Sequence, residues 1–159
     1  GGGPAIYKQE RIGLGGKPFY IYKFCSMVVD AEKEGEELLQ KDDDPRLTRI
    51  GKFLRTHHLD ELPQLWNVFI GDMAFVGPRP ERKYYIDQIM QRDSRYERLY
   101  VLRPGITSYA TLKNGYTDTL DKMLVRLEMD LCYLEHQSLW TDAKILWKTF
   151  ANIVSGKIF

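Results

Sequence analysis

Residues 60–80 read DELPQLWNVFIGDMAFVGPRP, a stretch that predicts a short helix followed by a stiff loop. Pro63 suits the first turn of a helix that runs to about Ile70, and Gly71 suits its end. Apolar residues within it recur at helical spacing and are predicted to face inward: Leu65, Val68 and Phe69. The segment Gly77-Pro78-Arg79-Pro80 is either a plain turn or a stiff loop, in which two prolines restrict the backbone and present one arginine with little entropy left to lose on binding a ligand.

A second helix is predicted upstream. Asp44-Pro45 is a suitable start, because aspartate caps helices and proline fits the first turn. Its apolar residues recur at helical spacing: Leu47, Ile50, Phe53 and Leu54. Its other side is basic and carries Arg46, Arg49, Lys52 and Arg55. This basic side is either a solvated surface or, beside Asp60 and Glu61, a clamp for phosphate, since guanidinium groups match phosphate oxygens.

Three more helices are predicted downstream of the quoted stretch. Pro80 is expected to open the first, which runs to about Arg92 and buries three apolar residues: Ile86, Ile89 and Met90. An apolar stripe from Leu120 to Leu134 predicts the main core helix. The last helix, from about Thr141 to Ser155, has a wide apolar arc that either packs in the core or lies at a lipid interface.

Strand-forming residues concentrate near the N-terminus. Two aromatic and β-branched runs, 5–9 and 19–24, are separated by several glycines, a pattern that predicts a β-hairpin. The chain has 159 residues, of which 43% are hydrophobic, enough for one domain with a real core. We therefore predict an α+β fold: a mostly helical single domain with a small N-terminal β-hairpin and amphipathic helices suited to a membrane interface.

Composition argues against two classes of protein. The chain has 23 lysines and arginines against 22 aspartates and glutamates, a formal net charge of +1, so nucleic-acid binding is not expected. No run of about 18 apolar residues is present, so the sequence predicts no membrane-spanning helix. Cys25 and Cys132 are far apart and form no CxxC pair, which fits a reducing compartment.

Asp60 and Glu61 are adjacent carboxylates directly before the predicted 63–70 helix. At a helix N-terminus, free backbone N–H groups and the helix dipole favour anions, whether carboxylates or bound phosphates. The plain interpretation is that the two residues cap the helix. The alternative is a functional pair, which the cationic setting of Arg55 and Arg79 favours. From the residues alone, both interpretations stay open.

The motifs taken together resemble those of the bacterial sugar transferase family, the monotopic phosphoglycosyl transferases. The most specific strings are Asp44-Pro45-Arg46, Phe53-Leu54-Arg55, Leu59-Asp60-Glu61-Leu62-Pro63-Gln64 and Val76-Gly77-Pro78-Arg79-Pro80. The similarity extends from Gln9 to Asp142, nearly the whole chain. It implies that residues 4–159 form a phosphoglycosyl transferase catalytic domain, and we interpret residues 1–3 as a cloning remnant or the cut end of a longer protein.

The resemblance implies an activity: transfer of a sugar-1-phosphate from a UDP-sugar to a polyprenyl phosphate, with release of UMP and with Mg²⁺ as cofactor. It implies that Asp60 is a nucleophile that forms a covalent aspartyl phosphosugar, and that Glu61 completes the catalytic pair as the magnesium ligand. The phosphate- and nucleotide-binding residues expected with them are Lys23, Arg49, Arg55, Pro78, Arg79, Pro80 and Arg103. The expected setting is the cytoplasmic face of the bacterial inner membrane, in contact with the membrane surface, at the first membrane step of polysaccharide assembly.

The chain also departs from the family pattern. Cys25 stands where the family usually has arginine, so a cation near the two carboxylates is either lost or supplied by Lys23 or Arg11. Family members carry a hydrophobic membrane-dipping segment just before the position where this chain begins, so a truncated or redesigned soluble form is expected. The alternative function is a non-catalytic module of the same fold that binds anions or assembles at a membrane. The sequence names neither the donor sugar nor the oligomeric state, so a homo-oligomer stays open.

Overall fold

The computed structural model describes residues 4–27, 48–115, 117 and 119–155. The expected helix start at Asp44-Pro45, together with Arg46 and Leu47, lies outside these residues. The described elements confirm an α+β architecture in which helices dominate.

The N-terminal hairpin is confirmed. Strands β1 (Ile6–Ile12) and β2 (Pro18–Phe24) pair antiparallel, with Ile6 opposite Phe24 and Ile12 opposite Pro18. A short 3₁₀ turn, Leu14–Gly16, connects them. The two strands therefore form a sheet on which other elements can dock.

The elements that follow the hairpin are short until the last two helices. In chain order they are α1 (Arg49–Thr56), a 3₁₀ turn (Leu59–Glu61), α2 (Gln64–Phe69), β3 (Ala74–Val76), α3 (Lys83–Arg92), a 3₁₀ helix (Ser94–Val101), β4 (Gly105–Thr107), α4 (Tyr109–Asn114), α5 (Leu120–Glu135) and α6 (Leu139–Val154). The predicted main core helix corresponds to α5.

The main core lies between α3, the 3₁₀ helix Ser94–Val101 and α5. It is a cluster of buried apolar and aromatic side chains: Tyr85, Ile86, Ile89, Tyr96, Leu99, Met123, Leu127 and Leu131. A smaller cluster joins Val76, Tyr133 and Ile145 and holds α6 against α5 and β3. The apolar stripe predicted along 120–134 is therefore confirmed as the centre of the fold.

A second sheet was not predicted from the sequence. Strands β3 and β4 pair in parallel, with Ala74 opposite Gly105 and Val76 opposite Thr107. The pairing brings Gly77 and Gly105 so close that a Cβ on Gly105 would lie 2.1 Å from the Gly77 nitrogen. Two hydrogen bonds continue the contact, from the Gly77 N–H to the Thr107 carbonyl and from the Gly105 N–H to the Pro78 carbonyl. The proline-rich loop is thus fixed against β4.

The prediction that α2 faces inward is wrong for Leu65 and Phe69, which are exposed, Phe69 with 79% of its surface in solvent, whereas Val68 is half-buried. Of the apolar residues of α1, Ile50 and Phe53 are exposed and Leu54 is half-buried. The buried residues of α2 are polar instead: Gln64 and Asn67. Asn67 donates from its amide to the Tyr20 carbonyl at 2.7 Å and accepts from the Tyr22 N–H at 3.2 Å. These hydrogen bonds dock α2 on β2 by its polar side and turn its apolar side outward.

Helix α3 begins at Lys83 rather than at Pro80. The cause is a backbone bridge between Ile12 and Glu81, in which the Ile12 N–H donates to the Glu81 carbonyl at 3.0 Å. This bridge keeps residues 80–82 extended. The loop that carries Arg79 is therefore tied to β1 on one side and to β4 on the other.

Helix α6 leaves most of its apolar arc uncovered. Ile145 is its buried residue, whereas Trp147 and Phe150 are 71% and 59% exposed. The core-packing interpretation of this arc is therefore wrong for these aromatic residues. No described helix combines the length and the apolar character needed to cross a bilayer.

The contact between Gly77 and Gly105 predicts that Gly105→Ala is strongly destabilising. The added methyl group would collide with backbone that is held by hydrogen bonds, and we expect a loss of about 2 to 3 kcal/mol in the free energy of unfolding, measured in urea. Gly15→Ala is the matched control: it has a φ of +67° and no atom within 4 Å of an added Cβ. It should lose only about 1 kcal/mol, from backbone strain alone. Equal losses in the two variants would contradict the close approach.

Candidate active site

Asp60 and Glu61 lie in the 3₁₀ turn Leu59–Glu61, which connects α1 to α2. The turn is preceded by His58, which has a left-handed backbone with a φ of 53° and redirects the chain after α1. The sequence placed the pair at the N-terminus of α2, but α2 begins three residues after Glu61 and no side-chain cap is present at either turn. The helix-cap interpretation of the pair therefore has no support in this geometry.

Glu61 is held by two cations. The Lys23 Nζ donates to Glu61 Oε1 at 2.8 Å, and a nitrogen of Arg79 lies 3.6 Å from the same oxygen. Burial by itself would raise the pKa of Glu61, but the charges of Lys23 and Arg79 outweigh it and hold that pKa at about 2. Glu61 is therefore a carboxylate that stays ionised at any physiological pH.

Asp60 has a different environment from its neighbour. Its surface is only 7% exposed, and none of the described side chains forms a hydrogen bond or an ion pair with its carboxylate. Burial raises the pKa of Asp60; Lys23 opposes the shift, and the charge of Glu61 adds to it. The two adjacent carboxylates thus differ: cations contact Glu61 directly, whereas Asp60 is buried and no described side chain bonds to its carboxylate.

The cation expected to replace the family's arginine at position 25 is supplied by Lys23 of β2. Cys25 itself lies two residues further on, and its thiol contacts the Met27 carbonyl at 3.6 Å. Burial lowers the pKa of Lys23, while the charge of Glu61 acts in the opposite direction. Arg55, at the end of α1, donates from Nε to the Ser26 hydroxyl at 3.0 Å, and its charge acts on Asp60. Asp60 and Glu61 are therefore flanked by cations from β2 and α1.

A cavity of about 260 Å³ opens beside Glu61. Its charged lining consists of four arginines and two carboxylates: Arg11, Arg79, Arg82, Arg126, Glu61 and Glu81. Its rim includes apolar residues of two helical segments, Leu62 and Leu65 before and within α2, and Ile153 of α6. The cavity therefore combines a cationic interior with an apolar margin, a combination that suits an anionic ligand with an apolar partner.

Glu81 organises the arginines of this cavity. Its carboxylate accepts from Arg126 of α5 and lies 3.5 Å from Arg11 of β1. Arg126 also donates to the Thr117 hydroxyl at 2.7 Å. Burial would raise the pKa of Glu81, but Arg126 and Arg11 outweigh it and lower that pKa. Sequence reasoning missed Glu81 and Arg126, although a charged residue on the apolar face of α5 was a usable signal.

Asp130 lies one turn after Arg126 on the same helix. It is 3% exposed, and its Oδ1 has no hydrogen-bond partner in the described part of the chain. Burial raises its pKa to about 7, against the opposing charge of Arg126. Asp130 therefore retains its proton over a pH range in which an ordinary aspartate is ionised.

The structure brings some predicted residues to the site and not others. Pro78 and Pro80 are buried on either side of the half-buried Arg79, which lines the cavity. Arg49 is exposed at the first residue of α1 and does not line the cavity. Arg103 is exposed and lines a separate depression with Val101. Periodicity and motif spacing could not tell which side of the fold these two arginines face.

The donor set suits magnesium only in company with a ligand. No group of three or more His, Cys, Asp or Glu side chains is placed to hold a metal ion within the described ranges. Mg²⁺ in proteins is usually bound by one or two carboxylates together with phosphate oxygens and water. Glu61 engages its two cations through one oxygen, Oε1. The pair of carboxylates therefore fits Mg²⁺ if a phosphate supplies the remaining oxygens.

Comparison with known proteins gives one family. The model of the family described as bacterial sugar transferase matches residues 1–156. The UDP-N-acetylgalactosamine-undecaprenyl-phosphate N-acetylgalactosaminephosphotransferase of Aeromonas hydrophila is 40% identical over 154 residues, which cover 97% of this chain and 36% of the relative. The UDP-glucose:undecaprenyl-phosphate glucose-1-phosphate transferases of Escherichia coli and Caulobacter vibrioides are 43% and 40% identical over 92% and 96% of this chain. The chain spans 32% and 58% of their lengths.

The burial of Asp130 predicts a pH-dependent stability. The folded state keeps the Asp130 proton up to about pH 7, whereas the unfolded chain releases it near 3.8, so the free energy of unfolding falls as the pH rises between these values. In Asp130→Asn this loss is absent. Relative to wild type, the variant should gain about 2 to 4 kcal/mol on going from the acidic to the basic end of that range.

Urea unfolding at a series of pH values measures this gain. Asp87→Asn, which changes a solvent-exposed carboxylate on α3, is the control and should give a curve parallel to wild type. A curve for Asp130→Asn that also runs parallel to wild type would contradict the raised pKa.

Proposed function

Because the chain belongs to the bacterial sugar transferase family, we propose that it transfers a sugar-1-phosphate from a UDP-sugar to a polyprenyl phosphate. The observation that carries the proposal is the unequal pair beside the cavity: Glu61 lines the cavity and is held ionised by Lys23 and Arg79, whereas its neighbour Asp60 is buried and is not one of the lining residues. Asp60 is suited to attack phosphorus, and Glu61 is suited to bind cations.

The names of the relatives support both substrates. They specify a UDP-sugar as the donor and undecaprenyl phosphate as the acceptor, and they differ in the sugar, which is N-acetylgalactosamine in one and glucose in two. We therefore propose the substrate classes without a particular sugar. The products are UMP and a polyprenyl diphosphate sugar, and the reaction belongs at the cytoplasmic face of the bacterial inner membrane, as the first membrane step of polysaccharide assembly.

In the first proposed step, a carboxylate oxygen of Asp60 attacks the phosphorus that bears the sugar. A new P–O bond forms, the P–O bond to the bridging oxygen breaks, and UMP leaves with that electron pair. The raised pKa of Asp60 supports this role, because a more basic carboxylate is a better nucleophile once it is ionised. The product of the step is an aspartyl phosphosugar.

In the second proposed step, an oxygen of the polyprenyl phosphate attacks the same phosphorus. The bond between phosphorus and Asp60 breaks, the carboxylate is regenerated, and the lipid carries the diphosphate sugar. No proton has to be gained or lost overall, since both nucleophiles are anions and both leaving groups depart as anions. Two moderate steps replace one difficult displacement.

The fixed cations would stabilise charge on the phosphates. Arg79 comes from a loop that buried prolines hold rigid, Lys23 from β2, and Arg55 from the end of α1. Fixed charges are most effective where water is scarce, because they need no reorganisation as charge develops on the phosphoryl oxygens. When Mg²⁺ is bound, Glu61 would hold it together with donor phosphate oxygens, and the ion would neutralise charge on the departing UMP.

One test of the proposed function concerns the carboxylates of Asp60 and Glu61. Asp60→Asn removes the nucleophile and should lower kcat for UMP release by at least about 10³-fold, and Glu61→Gln should also lower it strongly. The measurement uses the full-length protein in lipid nanodiscs with undecaprenyl phosphate, Mg²⁺ and a panel of UDP-sugars. Asp87→Asn, which changes an exposed carboxylate that does not line the cavity, is the matched control and should keep full activity.

Two outcomes would count against the proposal. Full activity of Asp60→Asn would remove it from the nucleophile role. Wild-type protein that binds UDP-sugars but never releases UMP, with any donor in the panel, would favour the alternative of a non-catalytic anion-binding module. Intact-mass detection of a phosphosugar adduct on wild type, absent from Asp60→Asn, would support the covalent step.

The exposed apolar residues support membrane contact. Helix α2 exposes Leu65, Trp66 and Phe69, and α6 exposes Trp147 and Phe150. Residues of both helices also form the rim of the cavity. We propose that these side chains lie in the lipid interface, so that the acceptor's phosphate reaches the cavity while its polyprenyl chain stays in the bilayer.

Another test concerns the exposed apolar residues of α2 and α6. Phe69→Asp and Trp147→Asp should each lower the affinity of the 159-residue chain for phosphatidylethanolamine–phosphatidylglycerol vesicles by about tenfold, because an aromatic side chain is lost from the interface. Vesicle co-sedimentation is the measurement. Val101→Asp is the matched control: it is 68% exposed but lines a different depression. Equal losses in all three variants would contradict the proposed orientation.

A further inference from the structure

The lining of the cavity divides by chemistry into two parts. One part is charged and consists of the arginines and carboxylates already described. The other is neutral and carries a hydroxyl group from each of four separate segments: Thr107 of β4, Thr111 of α4, Thr117 of the loop before α5, and Thr149 of α6. We call these four residues the threonine wall. The proposed mechanism does not use them.

The hydrogen bonds of the wall define which groups remain for a ligand. Thr149 donates its hydroxyl hydrogen to the Ile145 carbonyl at 2.9 Å, so in the 2.8 Å contact with Thr107 the hydrogen comes from Thr107. The Thr107 oxygen therefore keeps its lone pairs for an outside donor. Thr117 accepts from Arg126 at 2.7 Å, so its own hydrogen can be donated. The wall thus offers both an acceptor and a donor.

A neutral surface with this pattern does not favour phosphate, because it carries no positive charge. A phosphate would bind instead to the arginines beside it. It matches a ring with several hydroxyl groups, since each hydroxyl both donates and accepts. Ile106 and Ile153 line the same cavity and offer apolar contact for the C–H faces of such a ring. The diphosphate of a nucleotide sugar would then lie against the charged part and its ring against the neutral part.

We propose that the threonine wall binds the hydroxylated ring of the donor and sets which donor the enzyme accepts. The inference rests on the proposed function, because it assigns one part of that same substrate. Two rings of the donor share this chemistry, the sugar and the ribose, and the test separates them. Arg126 positions the wall indirectly, since it fixes Thr117 while Glu81 fixes Arg126.

The test removes single hydroxyls with isosteric substitutions. Thr107→Val and Thr117→Val should each lower kcat/KM for the preferred UDP-sugar by about three- to tenfold, the effect of one lost hydrogen bond. They should also change the ratio of kcat/KM between UDP-sugars that differ at one hydroxyl, such as the glucose and galactose forms. Thr107→Ser and Thr117→Ser keep the hydroxyl and should restore both values. Thr141→Val, on α6 but outside the cavity lining, is the matched control.

Binding measurements identify whether the wall contacts the sugar or the ribose. Isothermal titration of UDP and 2′-deoxy-UDP requires no turnover. If the valine variants bind UDP as wild type does, the wall holds the sugar; if they bind UDP three- to tenfold more weakly but 2′-deoxy-UDP as wild type does, it holds the ribose. The first result supports the inference; the second overturns the part that assigns donor choice to the wall, because the ribose is common to all UDP-sugars. Valine variants that match Thr141→Val in every arm would overturn it, and so would an equal loss of affinity for inorganic pyrophosphate, which would indicate general damage to the cavity.

The two proposals fail in different ways. A wild-type protein that releases no UMP from any UDP-sugar contradicts the proposed function, whatever the threonine variants do. An active wild type whose donor preference and ligand affinities are unchanged in the valine variants contradicts the threonine wall and leaves the proposed function standing. If wild type binds UDP-sugars without turnover, the ratio of UDP-sugar affinity between variant and wild type still decides the inference.

Discussion

The buried carboxylate of Glu81 joins three parts of the chain that are distant in sequence. Its side chain engages Arg11 of β1 and Arg126 of α5, and its backbone pairs with Ile12. Removing one partner from a buried ion pair typically costs about 3 to 5 kcal/mol, because a charge is left without compensation. The loop that carries Arg79 is anchored by these contacts. These contacts therefore determine the position of Arg79 beside Glu61, and with it the ionised state of Glu61.

Sequence patterns predicted where the helices and the hairpin lie better than they predicted which helix faces are buried. Helical periodicity located α2, α5 and α6, and the hairpin followed from its aromatic runs. The inward face of α2 was wrong for Leu65 and Phe69, because an amphipathic pattern gives the apolar side of a helix but not whether protein covers it. Asn67, a polar residue, docks α2 instead. Strands of three residues, as in β3 and β4, carry too little pattern to be found without the tertiary contact of Gly77 and Gly105.

The candidate site was predictable where its residues are close in sequence. Asp60, Glu61 and Arg55 lie within seven positions, and proline-flanked Arg79 has a local signature. The pairing of Glu81 with Arg126 spans 45 positions, and no local pattern reports such a contact. The threonine wall is assembled in the same way, from four segments that meet only in the fold. The proposed donor selection therefore depends on residues that lie too far apart in sequence to form a motif.

The difference between Asp60 and Glu61 arises from the cations and not from the residue types. Burial raises the pKa of both, and Lys23 lowers both, but only Glu61 receives direct contacts from Lys23 and Arg79. In the proposed reaction, donor phosphates would compete with Glu61 for these same cations. A buried carboxylate that loses them needs another positive partner, and Mg²⁺ brought in with the phosphates would supply it. Donor binding and metal binding would then depend on each other through Glu61.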